Sequence, residues 1–270
     1  MGHMDEVMDD WRQLRTRMKL GEDPAYLHHR GKPVVAVWGI GFNDHRAYTL
    51  EECRRLIEFL KSDGCTVMLG VPTYWREQKN DAVPDPALHE ILALADVLSP
   101  WTVGRYRSPD DAARYAEKQI KPDLAWCAEH RLDYLPVIFP GFSWNNMYGK
   151  STSAIARRRG EFFWRQFRET KSAGASMLYV AMFDEVDEGT AIFKCTNDVP
   201  PESEAPLCDL RRIAFRLLPA AHRPGREDAA KRDPHRQSAA STQRDSEIIA
   251  HSVLACHPER SRRTPSNNQR

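Results

Sequence analysis

KPVVAVWGIGFNDHRAYTLEECRRLIEFLKSDGCTVMLGVP, residues 32–72, reads as one strand–helix–strand unit. Val34 to Trp38 is a short, continuous apolar run rich in β-branched residues, the mark of a strand covered on both faces. TLEECRRLIEFLKSDG follows. Thr49 and Glu52 have capping-box spacing, Leu56, Ile57 and Leu60 supply one apolar face, and Gly64 ends the helix. The second run, residues 65–72, is again apolar throughout. Two such strands joined by a helix must lie parallel, because the helix carries the chain back to the starting end of the first strand.

The pattern continues in both directions. Upstream, Met4, Val7, Met8, Trp11, Leu14 and Met18 mark a helix over residues 4–20, closed by Gly21 and Pro24. Downstream, further strands are predicted over 96–101, 134–140 and 176–183. The helices between them are expected over 86–95, over 108–130 with a kink at Pro122, and over 157–174. Strand and helix alternate five times, which fits either a partial (β/α)₈ barrel or an open doubly wound sheet. No strand is followed by G-x-G-x-x-G or a P-loop, which weakens a nucleotide-binding reading.

Composition narrows the function classes. The 270 residues carry a net charge of +1, so no global field favours nucleic acid or an anionic membrane. No apolar run approaches the roughly 20 residues of a membrane helix, and MGHMDEVMDD lacks the apolar region of a signal peptide. The six cysteines, at 53, 65, 127, 195, 208 and 256, form no C-x-x-C pair, so neither a zinc site nor a disulfide framework is indicated. Cys65 reads as a buried thiol, and His28 and His29 as solvent-facing loop residues. Residues 219–270 contain no Phe, Trp or Tyr and hold ten Lys/Arg against six Asp/Glu. A segment so poor in apolar surface is expected to be disordered.

In a parallel barrel, chemistry sits at the carboxyl ends of the strands. Those ends carry Trp38 with Asn43 and Asp44; Tyr74, Trp75 and Arg76; Trp101 with Arg105 and Tyr106; and Phe142, Trp144, Asn145 and Asn146. Sugars present apolar C–H faces and a rim of hydroxyls, which aromatic faces and a few polar groups suit. The competing reading is that the large aromatics plug the rim of the barrel. Arg157 to Arg159 read best as a solvated helix start, with contact to a sugar or to the acidic loop as the alternative.

The last strand runs into FDEVDEG, residues 183–189. Asp184, Glu185, Asp187 and Glu188 are close enough in sequence for mutual repulsion to raise at least one pKa. Glycoside hydrolysis needs one protonated and one ionised carboxyl group, and such a loop can supply both. A solvated acidic loop and a hard-cation site are the other readings of the same spacing.

FDEVDEGTAIFK resembles the catalytic segment of glycoside hydrolase family 99, approximately F-N-E-W-H-E-G-T-x-I. The runs YLHHRGKPVVAVWGIGF, VMLGVPTYWRE, SPWTVGRY, FPGFSWNNM and MFDEVDEGTAIFK resemble, as a set, the bacterial family 71/99-like proteins often labelled xylosidase/arabinosidase. The resemblance implies an α/β fold, an incomplete (β/α)₈ TIM-type barrel of about five carboxyl-terminal β/α units over residues 1–206. It implies a retaining hydrolase of α-linked, mannoside-type polysaccharide or glycan, with no cofactor or metal and with carbohydrate as partner. Glu185 matches the base that acts on the sugar 2-hydroxyl to give a 1,2-anhydro intermediate. Glu188 matches the acid that protonates the leaving oxygen and later activates water. Trp38, Tyr74, Trp75, Trp101, Trp144, Asn145 and Asp184 are the candidate substrate-binding residues. Val186 and Asp187 stand where the family carries an aromatic and a histidine.

The family has about three further β/α units before this start, so the chain is expected to be a fragment without activity of its own, a sugar-binding relic, or a metal-binding α/β protein. The match stops after CTNDVPPESEAP. Codons that permit DLRRIAFRLLPAAHR can, read one base later, spell a family-like TYEGLPSD segment. Residues 207–270 are therefore expected to be an out-of-frame or disordered tail.

Overall fold

The computed structural model describes residues 4–148 and 154–193. The tail 207–270, and with it the frameshift expectation, lies outside the described residues. The elements run α1 (Met4–Met18), β1 (His28–His29), β2 (Lys32–Trp38), α2 (Leu50–Ser62), β3 (Thr66–Val71), α3 (Ala87–Leu92) and β4 (Val97–Pro100). Then come α4 (Pro109–Tyr115), one π-helical turn (Ala116–Ile120), α5 (Lys121–Glu129), β5 (Asp133–Tyr134), β6 (Val137–Ile138) and α6 (Asn145–Tyr148). A 3₁₀ turn (Arg158–Gly160), α7 (Glu161–Ala173) and β7 (Tyr179–Val180) complete the order.

β2, β3, β4 and β5 pair in parallel, each with the next in sequence, and β6 pairs in parallel with β7. The strand order therefore follows the chain order without reversal. A doubly wound sheet must reverse at a switch point; this sheet instead curls in one direction, as a half-barrel with helices packed on it. The open-sheet alternative is set aside on that ground.

The two faces of the sheet separate cleanly. Val67, Leu69, Val71 and Leu98 face the helices and join Leu56, Ile57, Leu60, Leu88 and Ile91 in the main core. Val34, Met68, Val97 and Leu135 form a second cluster on the opposite face, where Ala36 and Tyr179 join them. Because both faces are covered, β3 is buried at every position; this is why it reads as an unbroken apolar run.

Local chemistry sets the boundaries. The capping box at Thr49 is formed: its hydroxyl accepts from the Glu52 N–H at 3.2 Å, and the Glu52 carboxylate accepts from the Thr49 N–H at 2.8 Å. Ser108 caps α4 through the Asp111 N–H at 3.1 Å. The expected kink at Pro122 takes the form of the π turn just before it, where a missing N–H and the ring displace the helical ladder.

Three expectations change. The strand expected over 134–140 is two pieces, because Pro136 has no N–H to donate. β5 pairs back to β4, β6 pairs forward to β7, and the Tyr179 N–H donates to the Pro136 carbonyl at 2.9 Å. The strand expected over 176–183 shortens to Tyr179–Val180, since the ladder it meets is itself two residues long. His28 and His29 are not simple loop residues. They form β1, antiparallel to the start of β2, and the His29 ring bonds the Asp133 carboxylate at 2.7 Å. Among the described residues no helix is long and apolar enough to cross a membrane.

Candidate active site

The segments following the strands bring the candidate residues into two clusters. The first lies beyond β2 and β4. The Trp38 and Trp101 rings meet edge to face with centroids 5.9 Å apart, and Phe42 packs on Trp38 at 4.9 Å. The Arg46 guanidinium lies 5.2 Å from the centroids of both Trp38 and Phe42, and Asp44 grips it through two oxygens at 2.7 Å each. Gly70, the β3 partner of Trp38, leaves room for the indole: a Cβ there would sit 2.2 Å from Trp38 Cδ1. The cluster is thus an aromatic surface with a charged edge.

Asp81 organises the neighbouring turn. Its carboxylate accepts from the backbone N–H groups of Thr73 and Tyr74 at 3.1 Å each, and from Arg105 Nη2 at 2.5 Å. Tyr74 is half-buried, with the Lys79 ammonium 5.7 Å from its ring centroid. Trp75 departs from its expected role. It is 0% exposed and packs edge to face on Trp126, with the rings 4.8 Å apart, so it is a core residue under α5 rather than a sugar platform. The reason is the turn at Thr73–Tyr74, which sends the next side chain back toward the helices. Arg76 follows it inward and donates through Nε to the buried Asp123 at 2.7 Å.

The second cluster lies beyond β6 and β7 and contains the acidic loop. The loop is tightly closed on itself: Ala191 N–H donates to the Glu185 carbonyl at 2.8 Å, Gly189 to Val186 at 3.1 Å, and Ile192 to Phe183 at 3.0 Å. The segment after β6 then clasps it. Ser143 N–H donates to the Glu188 carbonyl at 2.7 Å, and the Trp144 indole N–H donates to the Glu188 carboxylate. Trp144 itself is 43% exposed and edges against Phe142 and Tyr148. Asn145 opens α6 beside it, its N–H on the Ser143 hydroxyl at 3.2 Å.

Both glutamates are half-buried, and both have raised pKa values. For Glu185 the cause is first burial, then the charges of Asp187 and Asp184. For Glu188 it is burial, then the charge of Glu185, with the Trp144 hydrogen bond pulling the other way. Repulsion among the four carboxylates, the effect anticipated from the spacing, is therefore present but second to desolvation. Asp184 and Asp187 stay exposed. Among the described residues no three His, Cys, Asp or Glu side chains converge on a point where a metal could sit.

Arg157 follows the alternative of the sequence reading, contact with the acidic loop, rather than the preferred one. Instead of starting a helix in solvent it is buried, and its Nη2 donates to the carbonyls of Gly189 at 2.6 Å and Ala191 at 2.7 Å. Arg158 and Arg159 are exposed as expected. The sequence reading also missed Arg46, Asp81 and Gln166. Gln166 had a usable signal, a polar residue on the apolar face made by Phe162, Phe163 and Thr170 of α7. Its amide holds both backbone groups of Phe139, at 3.0 and 2.8 Å, and so fixes the segment leading to Trp144.

Comparison with known proteins agrees on architecture. No family profile and no curated protein matches the chain. Two structures of the family 99 (GH99) endo-α-mannosidase from Bacteroides thetaiotaomicron superpose with TM-scores of 0.57 at 16% and 18% identity, over 81% of this chain. A structure described as a glycoside hydrolase-like protein superposes with a TM-score of 0.53 at 12% identity. The chain spans 64%, 60% and 61% of the length of these three structures. At such identities the likeness is one of fold: this chain shares the α/β fold of solved glycoside hydrolases, including family 99 endo-α-mannosidases.

Proposed function

We propose that the site is that of a retaining glycoside hydrolase acting on α-linked, mannoside-type glycans, with Glu185 and Glu188 as its working pair. The observation that carries the reading is the state of Glu188. It is a half-buried carboxyl group with a raised pKa, held through its backbone by Ser143 and through its side chain by Trp144. A general acid needs such a raised pKa and a fixed position. The resemblance of FDEVDEG to the family 99 segment supplies the roles.

In this mechanism Glu185 takes the proton of the sugar 2-hydroxyl as that oxygen attacks the anomeric carbon. The bond to the leaving oxygen breaks while Glu188 protonates it, giving a 1,2-anhydro sugar. Glu188, now ionised, takes a proton from water as the water oxygen attacks the anomeric carbon. The anhydro ring opens, and the 2-oxygen recovers its proton from Glu185. Two inversions give net retention. Trp38, Tyr74, Trp101, Trp144, Asn145 and Asp184 are the proposed sugar contacts; Trp75 is not among them.

The test is hydrolysis of α-linked mannan oligosaccharides by a closed-barrel version of the chain, followed by NMR of the anomeric protons. The α-anomer should form first, and Glu185→Gln and Glu188→Gln should each lower the rate by about 10²–10⁴-fold while leaving the melting temperature unchanged. Activity within threefold of wild type in either variant removes that residue from the mechanism. Saturable binding without hydrolysis in the closed-barrel version selects the second reading, a carbohydrate-binding protein. The aromatic surface of Trp38, Phe42 and Trp101, edged by Arg46, favours that reading.

A further inference from the structure

We propose that Arg157 is a positioning residue for the acid/base loop, fixing Glu188 against Trp144 by clamping the carbonyls of Gly189 and Ala191; the inference rests on the reading of Glu188 as the acid/base group.

The clamp is built from three strips of chain. The first is the loop 183–193, closed by its own hydrogen bonds. The second is Gly141–Trp144, which reaches Glu188 from one side through Ser143 N–H and the Trp144 indole. The third is Ile155–Arg157, which pairs antiparallel with the second: Phe142 N–H donates to the Ile155 carbonyl at 3.1 Å, and Ile155 N–H to the Phe142 carbonyl at 2.7 Å. That pairing carries Arg157 beneath the loop.

Two glycines make the approach possible. A Cβ on Gly141 would sit 2.6 Å from Arg157 Cγ and 2.8 Å from the Ile155 carbonyl oxygen, so only glycine lets the arginine stem pass. Gly189 has φ of +64°, which turns its carbonyl with little steric cost, and its Cβ position faces Ser143 at 3.4–3.6 Å. The guanidinium then sits where both carbonyls converge on one nitrogen, Nη2, whose two hydrogens serve one acceptor each. A buried guanidinium bonded to two backbone carbonyls is a strong, directional tie. Gly189 is bonded directly to Glu188, so the tie acts one residue from the proposed acid.

The sign of its effect on Glu188 follows from the causes of the raised pKa. Burial is the largest of them. Release of the loop exposes the carboxyl group and lowers its pKa toward the ordinary glutamate value. Loss of the Trp144 hydrogen bond acts in the opposite direction but is the smaller effect.

The experiment reads the loop without using hydrolysis. In the full chain the Trp144 indole N–H resonance, assigned by its loss in Trp144→Phe, is followed against pH; Glu188→Gln identifies the step that belongs to Glu188. Wild type should titrate above the ordinary glutamate range. Arg157→Met should bring the midpoint down into that range. Arg157→Lys, whose single ammonium reaches less far but still donates, should fall between. An unchanged midpoint in folded Arg157→Met overturns the proposal. If that variant does not fold, Arg157→Lys decides: an intermediate midpoint supports the clamp, and the wild-type midpoint overturns it. Hydrolysis is a separate assay, so Glu188 can fail as the acid while the clamp stands, and the reverse.

Discussion

Gly70→Ala tests whether the sheet was shaped to hold Trp38. The added methyl would lie 2.2 Å from Trp38 Cδ1, 2.8 Å from Cγ and 3.1 Å from Cα. Carbon atoms rest at about 3.5–4.0 Å, so the overlap exceeds an ångström and extends to the Trp38 backbone. That backbone cannot retreat easily: Trp38 and Gly70 are direct partners in the parallel ladder, and the Gly39 N–H donates to the Gly70 carbonyl at 2.9 Å. The indole must therefore leave its rotamer and, with it, Trp101, Phe42 and Arg46. Overpacking costs about 1–3 kcal/mol, and the lost aromatic and cation–π contacts add about 1–2 kcal/mol. The substitution should destabilise by about 2–5 kcal/mol, a fall in melting temperature of roughly 4–20 °C at this size. Thermal melting with near-ultraviolet circular dichroism reads both the loss and the displaced indole. The control is the same change in a Trp38→Ala background. There the two indole clashes are gone and only the 3.1 Å approach to the residue-38 Cα remains, so the cost should fall, leaving a coupling energy above about 1 kcal/mol. Equal costs in the two backgrounds would refute the reasoning.

Two further outcomes are expected. Trp75→Ala should cost about 3–5 kcal/mol in urea unfolding, since it empties a fully buried site, whereas Trp144→Ala should cost under about 1 kcal/mol; similar costs would mean that Trp75 is not core. Asp123 should make stability fall with pH, because burial raises its pKa to about 7 against the opposing hydrogen bond and charge of Arg76. The folded state then holds the proton more tightly than the unfolded state. The contribution is complete below about pH 4 and is lost as pH rises through about 7, a window of about 4 kcal/mol at 1.36 kcal/mol per unit. Asp123→Asn should flatten the slope of unfolding free energy over that window, and an unchanged slope assigns the dependence to other groups.

The sequence by itself determined the β2–α2–β3 unit, the order of the long helices and the place of the acidic loop. Those features rest on local physics: the unbroken apolar run of β3, the Thr49–Glu52 box, the proline after the π turn and the four carboxylates of FDEVDEG all declare themselves within a few residues. Tertiary structure decided which aromatic is buried in the core and which stays at its edge. Tyr74 and Trp75 are neighbours of similar chemistry, yet one turn pinned by Asp81 sends only Trp75 inward. It also decided what holds the carboxylates. Three adjacent arginines look alike in sequence, but antiparallel pairing of Phe142 with Ile155 buries only the first of them, beneath Gly189. Such partners are 32 residues apart or more along the chain, and a buried charge finds its acceptors only when the chain has brought distant carbonyls to it. Local pattern has no access to that, because burial and long-range hydrogen bonding are properties of the assembled chain.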